Sequence, residues 1–126
     1  MNHTTIIIPV KDEEAGLQFL LQNYKDSGIS ENNNIQFIFV IDCRTSDNSK
    51  TIANKFSEMI IDQNQTHGKG AAIRQALEKW KKSQTQYVVF MDADGSYQFN
   101  DVISIIKTLE NGADVVSGSR FLSKNN

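Results

Sequence analysis

Short runs of consecutive apolar residues alternate along the chain with segments whose apolar residues recur at helical spacing. The runs Ile35–Ile41 and Tyr87–Met91 are apolar at almost every position, which is typical of strands buried on both faces of a parallel sheet. Between them, one segment has apolar residues at i, i+3, i+4 and i+7, the pattern of an amphipathic helix: Ile73, Ala76, Leu77 and Trp80. Because parallel strands need crossover connections, the sequence predicts an α/β fold, with a doubly wound, mostly parallel sheet and helices on both faces.

The same alternation covers the rest of the chain. Strands are predicted at Thr5–Ile8, Ile35–Ile41, Met59–Ile61, Tyr87–Met91 and Asp114–Ser117. Further helices are predicted from three apolar stripes: Leu17, Leu20, Leu21 and Tyr24; Ile52, Phe56 and Met59; and Val102, Ile105, Ile106 and Leu109. The length of 126 residues suits a single domain, residues 1–126.

Composition narrows the possible partners and the compartment. The formal net charge of −2 predicts no general attraction to nucleic acid. No apolar stretch reaches the roughly 20 residues that a membrane-spanning helix needs, so no transmembrane segment is expected. The single cysteine, Cys43, allows no internal disulfide and is expected to be packed rather than nucleophilic. A cytoplasmic location fits these features.

Polar and glycine-containing segments follow the predicted strands: residues 9–14, 42–47, 67–70, 92–95 and 118–120. The carboxyl ends of parallel strands meet at one edge of the sheet, where doubly wound folds bind their ligands. We therefore expect these segments to line one crevice.

Two carboxylates stand at the end of one predicted strand, in Asp92-Ala93-Asp94. In an extended chain alternate residues share a face, so Asp92 and Asp94 can converge. A hard divalent cation such as Mg²⁺ or Mn²⁺ would relieve their repulsion, and such ions favour oxygen ligands and bind phosphates. The alternative is a strand that ends in a polar turn, where aspartate and glycine are common.

The segment Gly68-Lys69-Gly70 opens the helix that contains Trp80. Glycines allow close approach to a ligand, and a helix N-terminus attracts anions, so Lys69 and Arg74 are candidates for contact with a diphosphate. The segment is neither a Walker A loop nor a GxGxxG loop, because the required glycines are missing. A tight turn with a solvated lysine is the alternative.

Four further polar residues follow strands or open helices. The carboxylate of Asp42 could accept a hydrogen bond from a nucleobase N–H, or it could belong to a turn. Glu13 either faces the ligand or favours the start of a helix through the helix dipole. Arg120 could bind a phosphate bidentately or lie at the surface. Asp47 is interpreted as a helix-capping residue.

In chain order these segments resemble the motifs of family 2 glycosyltransferases of the GT-A fold, especially the polyprenyl-phosphate (dolichyl-phosphate) mannosyl- and glucosyltransferases. Residues 7–14 resemble the IPVYNEE opening, residues 40–47 resemble VVDDGSTD, residues 68–74 resemble GKGAAIR, residues 91–95 form the DxD-type motif, and residues 116–121 resemble the GSR segment. The resemblance covers essentially the whole chain. It implies transfer of a sugar from a GDP-mannose or UDP-glucose type of donor, with metal dependence and inversion, to an acceptor such as a polyprenyl phosphate.

The resemblance also implies roles for individual residues. Pro9, Glu13, Asp42, Lys69 and Asp92 would bind the nucleotide. Asp92 and Asp94 would bind Mg²⁺ or Mn²⁺, with Asp94 the stronger candidate. Lys69, Arg74 and Arg120 would lie near phosphates. The resemblance does not identify a catalytic residue.

The sequence departs from the family pattern in two respects. Cys43 and Arg44 stand where the second aspartate and the glycine of DDGS are found. The resemblance covers the nucleotide-sugar-binding half, and the acceptor-binding half of family members is not recognised in residues 1–126. A non-catalytic or truncated nucleotide-sugar-binding module and a nucleotidyltransferase are therefore alternatives. Completion by a partner chain, self-association and location at the cytoplasmic face of a membrane are compatible with the resemblance.

Overall fold

A computed structural model describes residues 4–27, 35–57, 59–63, 68–82, 85–94 and 99–110. Strands and helices alternate through these residues, as predicted. In chain order they are β1 (Thr4–Val10), α1 (Glu14–Ser27), β2 (Ile35–Ile41), α2 (Ser49–Phe56), β3 (Ile60–Asp62), α3 (Lys69–Lys81), β4 (Tyr87–Phe90) and α4 (Phe99–Glu110). The strand predicted at Asp114–Ser117 lies outside the described residues.

The described strands form one parallel sheet in the order β3-β2-β1-β4. β1 pairs with β2 along its whole length, from Thr4 opposite Ile35 to Val10 opposite Ile41. On its other side β1 pairs with the shorter β4. The chain moves outward from β1 to β3 and then returns to the far side of β1, so the strand order reverses beside β1. Ligands of doubly wound folds bind at such a reversal.

Alternate residues of the central strands enter two separate hydrophobic cores, one on each face of the sheet. On one face, residues of β1 and β2 pack with α1, α2 and α4; these strand residues are Ile6, Ile8, Val10, Phe37, Phe39 and Ile41. On the other face, Ile7, Ile38 and Val40 pack with Ala72 and Ala76 of α3. Helices therefore cover both faces, which confirms the predicted fold class.

The first core contains the helical stripe predicted for α1, whose Leu17, Leu20, Leu21 and Tyr24 are all buried. The ring of Tyr24 packs edge-on against Phe37 of β2 and Phe56 of α2, with ring centroids 5.0 and 5.3 Å away. Such edge-to-face pairs stabilise a core beyond the area they bury.

Helix α2 is shorter than its apolar stripe predicts, because Met59 lies beyond its end at Phe56. Ser57 has an extended backbone, and its hydroxyl donates to the carbonyl of Phe37 and accepts from the Met59 amide. These bonds turn the chain toward β3. Met59 consequently packs in the core on the opposite face of the sheet.

A polar network joins the elements at the amino end of the sheet. The hydroxyls of Thr5 and Thr85 lie 2.7 Å apart. Gln36 donates to the Thr5 hydroxyl, and the indole N–H of Trp80 donates to that of Thr85. The network links β1, β2 and α3 with the segment that leads into β4, far from the polar carboxyl ends of the strands.

Substitution Thr85→Val should lower the free energy of unfolding by about 1–3 kcal/mol, because it removes the hydroxyl that bonds to both the Trp80 indole N–H and the Thr5 hydroxyl. Chemical denaturation of the purified protein would measure this. The control is Thr108→Val on an exposed part of α4, where the hydroxyl bonds only within the helix and a change within about 0.5 kcal/mol is expected. Equal effects of the two substitutions would contradict a stabilising role for the network.

Candidate functional site

The loops that follow β1 and β2 are bound to each other by the side chain of Asp12. Its backbone has a positive φ of 47°, a conformation that aspartate tolerates better than most residues. Its carboxylate accepts hydrogen bonds from the amides of Ser46 and Asp47 at 2.7 and 3.1 Å. In return, Glu14 accepts from the amide of Asn48 at 3.0 Å. The two loops therefore form one rigid wall.

Asp47 completes this wall by accepting the first amides of two helices, in line with its predicted capping role, although the N-cap position of α2 is occupied by Asn48. One carboxylate oxygen accepts from the amide of Glu14, the first residue of α1, and the other accepts from the amide of Ser49, the first residue of α2. The bonds from Ser49 are the main reason that the pKa of Asp47 is lowered. The hydroxyl of Ser49 accepts from the Glu13 amide at 2.9 Å, which fixes the backbone of Glu13.

A cleft of about 390 Å³ opens at the carboxyl ends of β1, β2 and β4. Five predicted site residues line it: Pro9, Glu13, Asp42, Asp92 and Asp94. The rest of the wall consists of apolar residues together with Lys11, Arg44, Gln63 and Gly68. The structure thus brings four of the five predicted nucleotide residues and both predicted metal residues to a single cavity, although their roles remain predictions.

At one end of the cleft, the Asp42 carboxylate is 7% exposed and is held by Arg44 and Gly68. Arg44 binds it through Nε and Nη2, each at 3.0 Å, and through its backbone amide at 2.8 Å. The Gly68 amide donates at 3.0 Å. Gly68 has φ of 92°, which favours glycine. The Arg44 guanidinium, followed by these amides, holds the pKa of Asp42 far below its usual range despite burial.

At the other end, Glu13, Asp92 and Asp94 supply carboxylates. Burial raises the pKa of Glu13, and nearby carboxylates raise it further, chiefly that of Asp94. Within the described ranges no group of three or more His, Cys, Asp or Glu side chains is arranged to enclose a metal ion. This donor set fits Mg²⁺ or Mn²⁺ bound by one or two carboxylates together with phosphate oxygens, which is the usual way magnesium is held.

Helix α1 touches the Asp92–Asp94 segment through Gly16. A Cβ atom at position 16 would overlap the carbonyl oxygen of Ala93 and lie 3.0 Å from the Cα of Asp94. Both neighbours are backbone atoms and cannot rotate away. The absence of a side chain at Gly16 therefore sets the distance between α1 and the two aspartates.

The remaining predicted residues have different positions. Lys69 is the first residue of α3 and directly follows Gly68. Its side chain is not among those that the structure describes. Arg74 is exposed on α3 and is not among the described residues that line the cleft. Arg120 lies outside the described residues. Cys43 is exposed, contrary to the packed position expected of a lone cysteine, because Asp42 and Arg44 turn their side chains toward each other.

Three polar side chains that line the cleft were not predicted as site residues: those of Lys11, Arg44 and Gln63. Arg44 stands at a departure from the family motif, and the sequence indicated only that its charge could suit a phosphate or a different base. Gln63 is 2% exposed and donates to the side chain of Gln75 at 3.0 Å. Gln63 directly follows β3, so the rule that ligands bind at strand ends could have identified it. No described helix is both long and apolar enough for a bilayer crossing.

Gly16→Ala should destabilise the protein by about 1–3 kcal/mol, the usual cost of overpacking, and should displace the Asp92–Asp94 segment. Thermal and chemical denaturation would measure the loss. Gly70→Ala is the matched control, because its added Cβ would lie 3.7 Å from Arg74, an ordinary contact, and a stabilisation of about 0.4–1 kcal/mol is expected. A neutral Gly16→Ala substitution would contradict the close contact.

The lowered pKa of Asp42 predicts a pH-dependent contribution to stability. Its carboxylate stabilises the folded state fully above the unfolded pKa of about 4, and this contribution declines as pH falls below that value toward the lower folded pKa. Asp42→Asn should therefore destabilise the protein strongly at pH 7 and less at pH 3. Asp62→Asn, which removes an exposed ion pair with Lys50, should have a small effect at both pH values. A loss for Asp42→Asn that does not change with pH would refute the linkage.

Comparison with known proteins identifies the family of this chain. A sequence model described as "Glycosyl transferase family 2" matches residues 5–126. Glycosyltransferase AglJ of Haloferax volcanii is 29% identical over 116 residues, which cover 92% of this chain and 35% of AglJ.

A solved structure shares the fold. The crystal structure of S. aureus TarS in complex with UDP matches with a TM-score of 0.61 and 20% identity, covering 91% of this chain and 38% of that chain. The chain thus spans little more than a third of the length of either relative. Because the family match extends over nearly the whole chain, the protein belongs to glycosyl transferase family 2.

Proposed function

We propose that the protein transfers a sugar from a nucleotide-sugar donor of the GDP-mannose or UDP-glucose class to an acceptor. The observation that carries the proposal is the single cleft that has the Asp42 site at one end and the carboxylates of Glu13, Asp92 and Asp94 at the other. Family membership supports glycosyl transfer. The UDP bound to TarS, a protein of the same fold, supports a nucleoside diphosphate as part of the donor.

The spacing of the strands suits such a donor. β2 and β4 flank β1 on opposite sides, so their ends are about 10 Å apart, twice the spacing between neighbouring strands. A nucleotide whose base lies near Asp42 and whose diphosphate lies near Asp92 and Asp94 would extend over a comparable distance, with its ribose between the two. Pro9 and Val10 at the end of β1 would lie beneath the ribose.

Because three carboxylates and one lysine, Lys11, line the cleft besides the Asp42–Arg44 pair, the cleft needs further positive charge before it can bind a diphosphate. Asp92 and Asp94 would hold Mg²⁺ or Mn²⁺, with Asp94 the stronger candidate because its side chain is exposed. The ion would supply charge stabilisation for the departing nucleoside diphosphate. Glu13, held by Ser49 through its amide, would add negative charge that favours the cation. Lys69 and Arg74 lie in the first two turns of α3. They would bind phosphate oxygens that the ion does not contact.

The proposed acceptor is a polyprenyl phosphate, as the resemblance implies. A phosphate oxyanion is already ionised, so its attack on the anomeric carbon needs no strong general base. Attack on the face opposite the departing diphosphate would invert the configuration. Glu13, Asp92 and Asp94 would then be occupied with the donor rather than with proton transfer.

A thermal-shift titration with GDP, UDP, GDP-mannose and UDP-glucose, with and without Mn²⁺, tests donor binding. A ligand that binds only the folded protein raises the melting temperature. We expect a shift that depends on Mn²⁺ and is lost in Asp94→Ala. The control is Asp26→Ala, which changes an exposed carboxylate bonded to Gln22 on α1 and should preserve the shift. A folded protein that responds to none of the four nucleotides would refute the proposal.

A transfer assay with polyprenyl phosphate and the donor that binds separates catalysis from binding. Formation of a glycosylated lipid with an inverted anomeric centre is the expected result. Donor binding without transfer to any acceptor would instead support a non-catalytic binding module. Release of pyrophosphate from a nucleoside triphosphate would support a nucleotidyltransferase.

A further inference from the structure

We propose that Arg44 makes the cleft prefer guanine to uracil and adenine, by occupying Asp42 and presenting its own free N–H groups to the base. The inference rests on the proposed function and specifies the donor. It arises from a residue that departs from the family motif and that contacts Asp42 directly.

Asp42 has no remaining capacity to accept a hydrogen bond from a base. A carboxylate has about four acceptor positions. The oxygen Oδ1 accepts from the Arg44 amide and Nε, and Oδ2 accepts from Arg44 Nη2 and the Gly68 amide. Each oxygen therefore already accepts two bonds. A base that needs an acceptor at this position, such as the N3–H of uracil, would have to displace Arg44.

At the same place in the cleft, Arg44 presents hydrogen-bond donors in place of the Asp42 acceptor. Its bonds to Asp42 use Nε and one hydrogen of Nη2, which leaves the edge formed by Nη1 and the second Nη2 hydrogen. Among the residues that the structure describes, none lies at hydrogen-bond distance from Nη1. The side chain is 49% exposed and lines the cleft. Two roughly parallel N–H groups in one plane match a ligand with two adjacent acceptors.

Charge and position favour a base over a phosphate as this ligand. The Asp42 carboxylate neutralises the guanidinium, which weakens its attraction for an anion relative to an unpaired arginine. Arg44 also lies at the β2 end of the cleft, across β1 from Asp92 and Asp94. Val40, Ala72 and Pro9 provide apolar surface nearby, which suits the flat face of a base.

Guanine has an edge that matches two donors. Its O6 and N7 atoms are adjacent acceptors that bind an arginine bidentately. Adenine places an amino donor beside N7. Uracil offers O4 beside the N3–H donor, for which Asp42 has no acceptor left. Unpaired cytosine also has two adjacent acceptors, O2 and N3, so the arginine edge separates guanine from uracil and adenine only. The cleft should therefore prefer GDP to UDP and ADP.

Isothermal titration of the purified protein with GDP, UDP and 7-deaza-GDP, each with Mn²⁺, tests this directly. We expect GDP to bind at least about tenfold more tightly than UDP, and loss of N7 in 7-deaza-GDP to weaken binding by about tenfold, the scale of one bidentate contact. The 7-deaza-GDP comparison uses the unaltered protein, so it stays valid even where a variant fails to fold.

Variants at position 44 identify the residue responsible. Arg44→Lys keeps the positive charge but lacks the planar pair of N–H groups. Arg44→Gly restores the glycine of the family motif. Both should remove the difference between GDP and 7-deaza-GDP, and Arg44→Gly should bind UDP more tightly because Asp42 is freed. Lys50→Ala, an exposed basic residue paired with Asp62, should change no preference.

Equal affinities of the unaltered protein for GDP and UDP would overturn the inference, as would a GDP preference that survives in Arg44→Gly. Either result leaves nucleotide binding, and hence the proposed function, intact. A folded protein that binds none of these nucleotides would overturn both.

Discussion

The parallel pairing of β1 with a strand on each side is the constraint on which the rest of the molecule depends. β1 is buried on both faces, and only Pro9 near its end is partly exposed. A shift of register by one residue would exchange Ile7 with Ile6 and Ile8 between the two cores, so burial fixes the pairing. Because all three strands run in the same direction, Val10, Asp42 and Met91 leave the sheet at one edge. The cleft exists because of this alignment.

The acidic residues at that edge have two different physical roles. Asp12 and Asp47 have carboxylates that accept backbone amides across the two loops, and those accepted by Asp47 include the first amides of α1 and α2, which would otherwise lack partners. Glu13 is held by its backbone through Ser49, so its side chain can point into the cleft. The raised pKa of Glu13 follows from burial and from the carboxylates around it. A loop rich in acids therefore supplies one ligand-facing carboxylate and the bonds that position it.

The sequence predicts those parts of the molecule that depend on local pattern. Continuous apolar runs and the stripe from Leu17 to Tyr24 indicate the strands, the helices and the faces that they bury. The bonds between Asp12 and Ser46 join residues 34 positions apart, and no local pattern indicates them. Likewise, the motif at Asp42 predicts a base acceptor, whereas the structure has Arg44 bonded to both carboxylate oxygens. The early end of α2 depends on a bond from Ser57 to a different strand, β2.

The two ends of the cleft differ in charge, and this difference couples nucleotide binding to cation binding under the proposed function. Asp42 and Arg44 neutralise each other at one end, while the carboxylates of Glu13, Asp92 and Asp94 outnumber the other cation in the described lining, Lys11, and leave the cleft acidic. A diphosphate would be repelled there unless a divalent cation bound with it. The cation in turn would lack enough ligands from the described residues and would gain oxygens from the diphosphate. Each ligand must then raise the affinity of the other by the same factor, so a nucleoside without phosphates should bind independently of Mn²⁺.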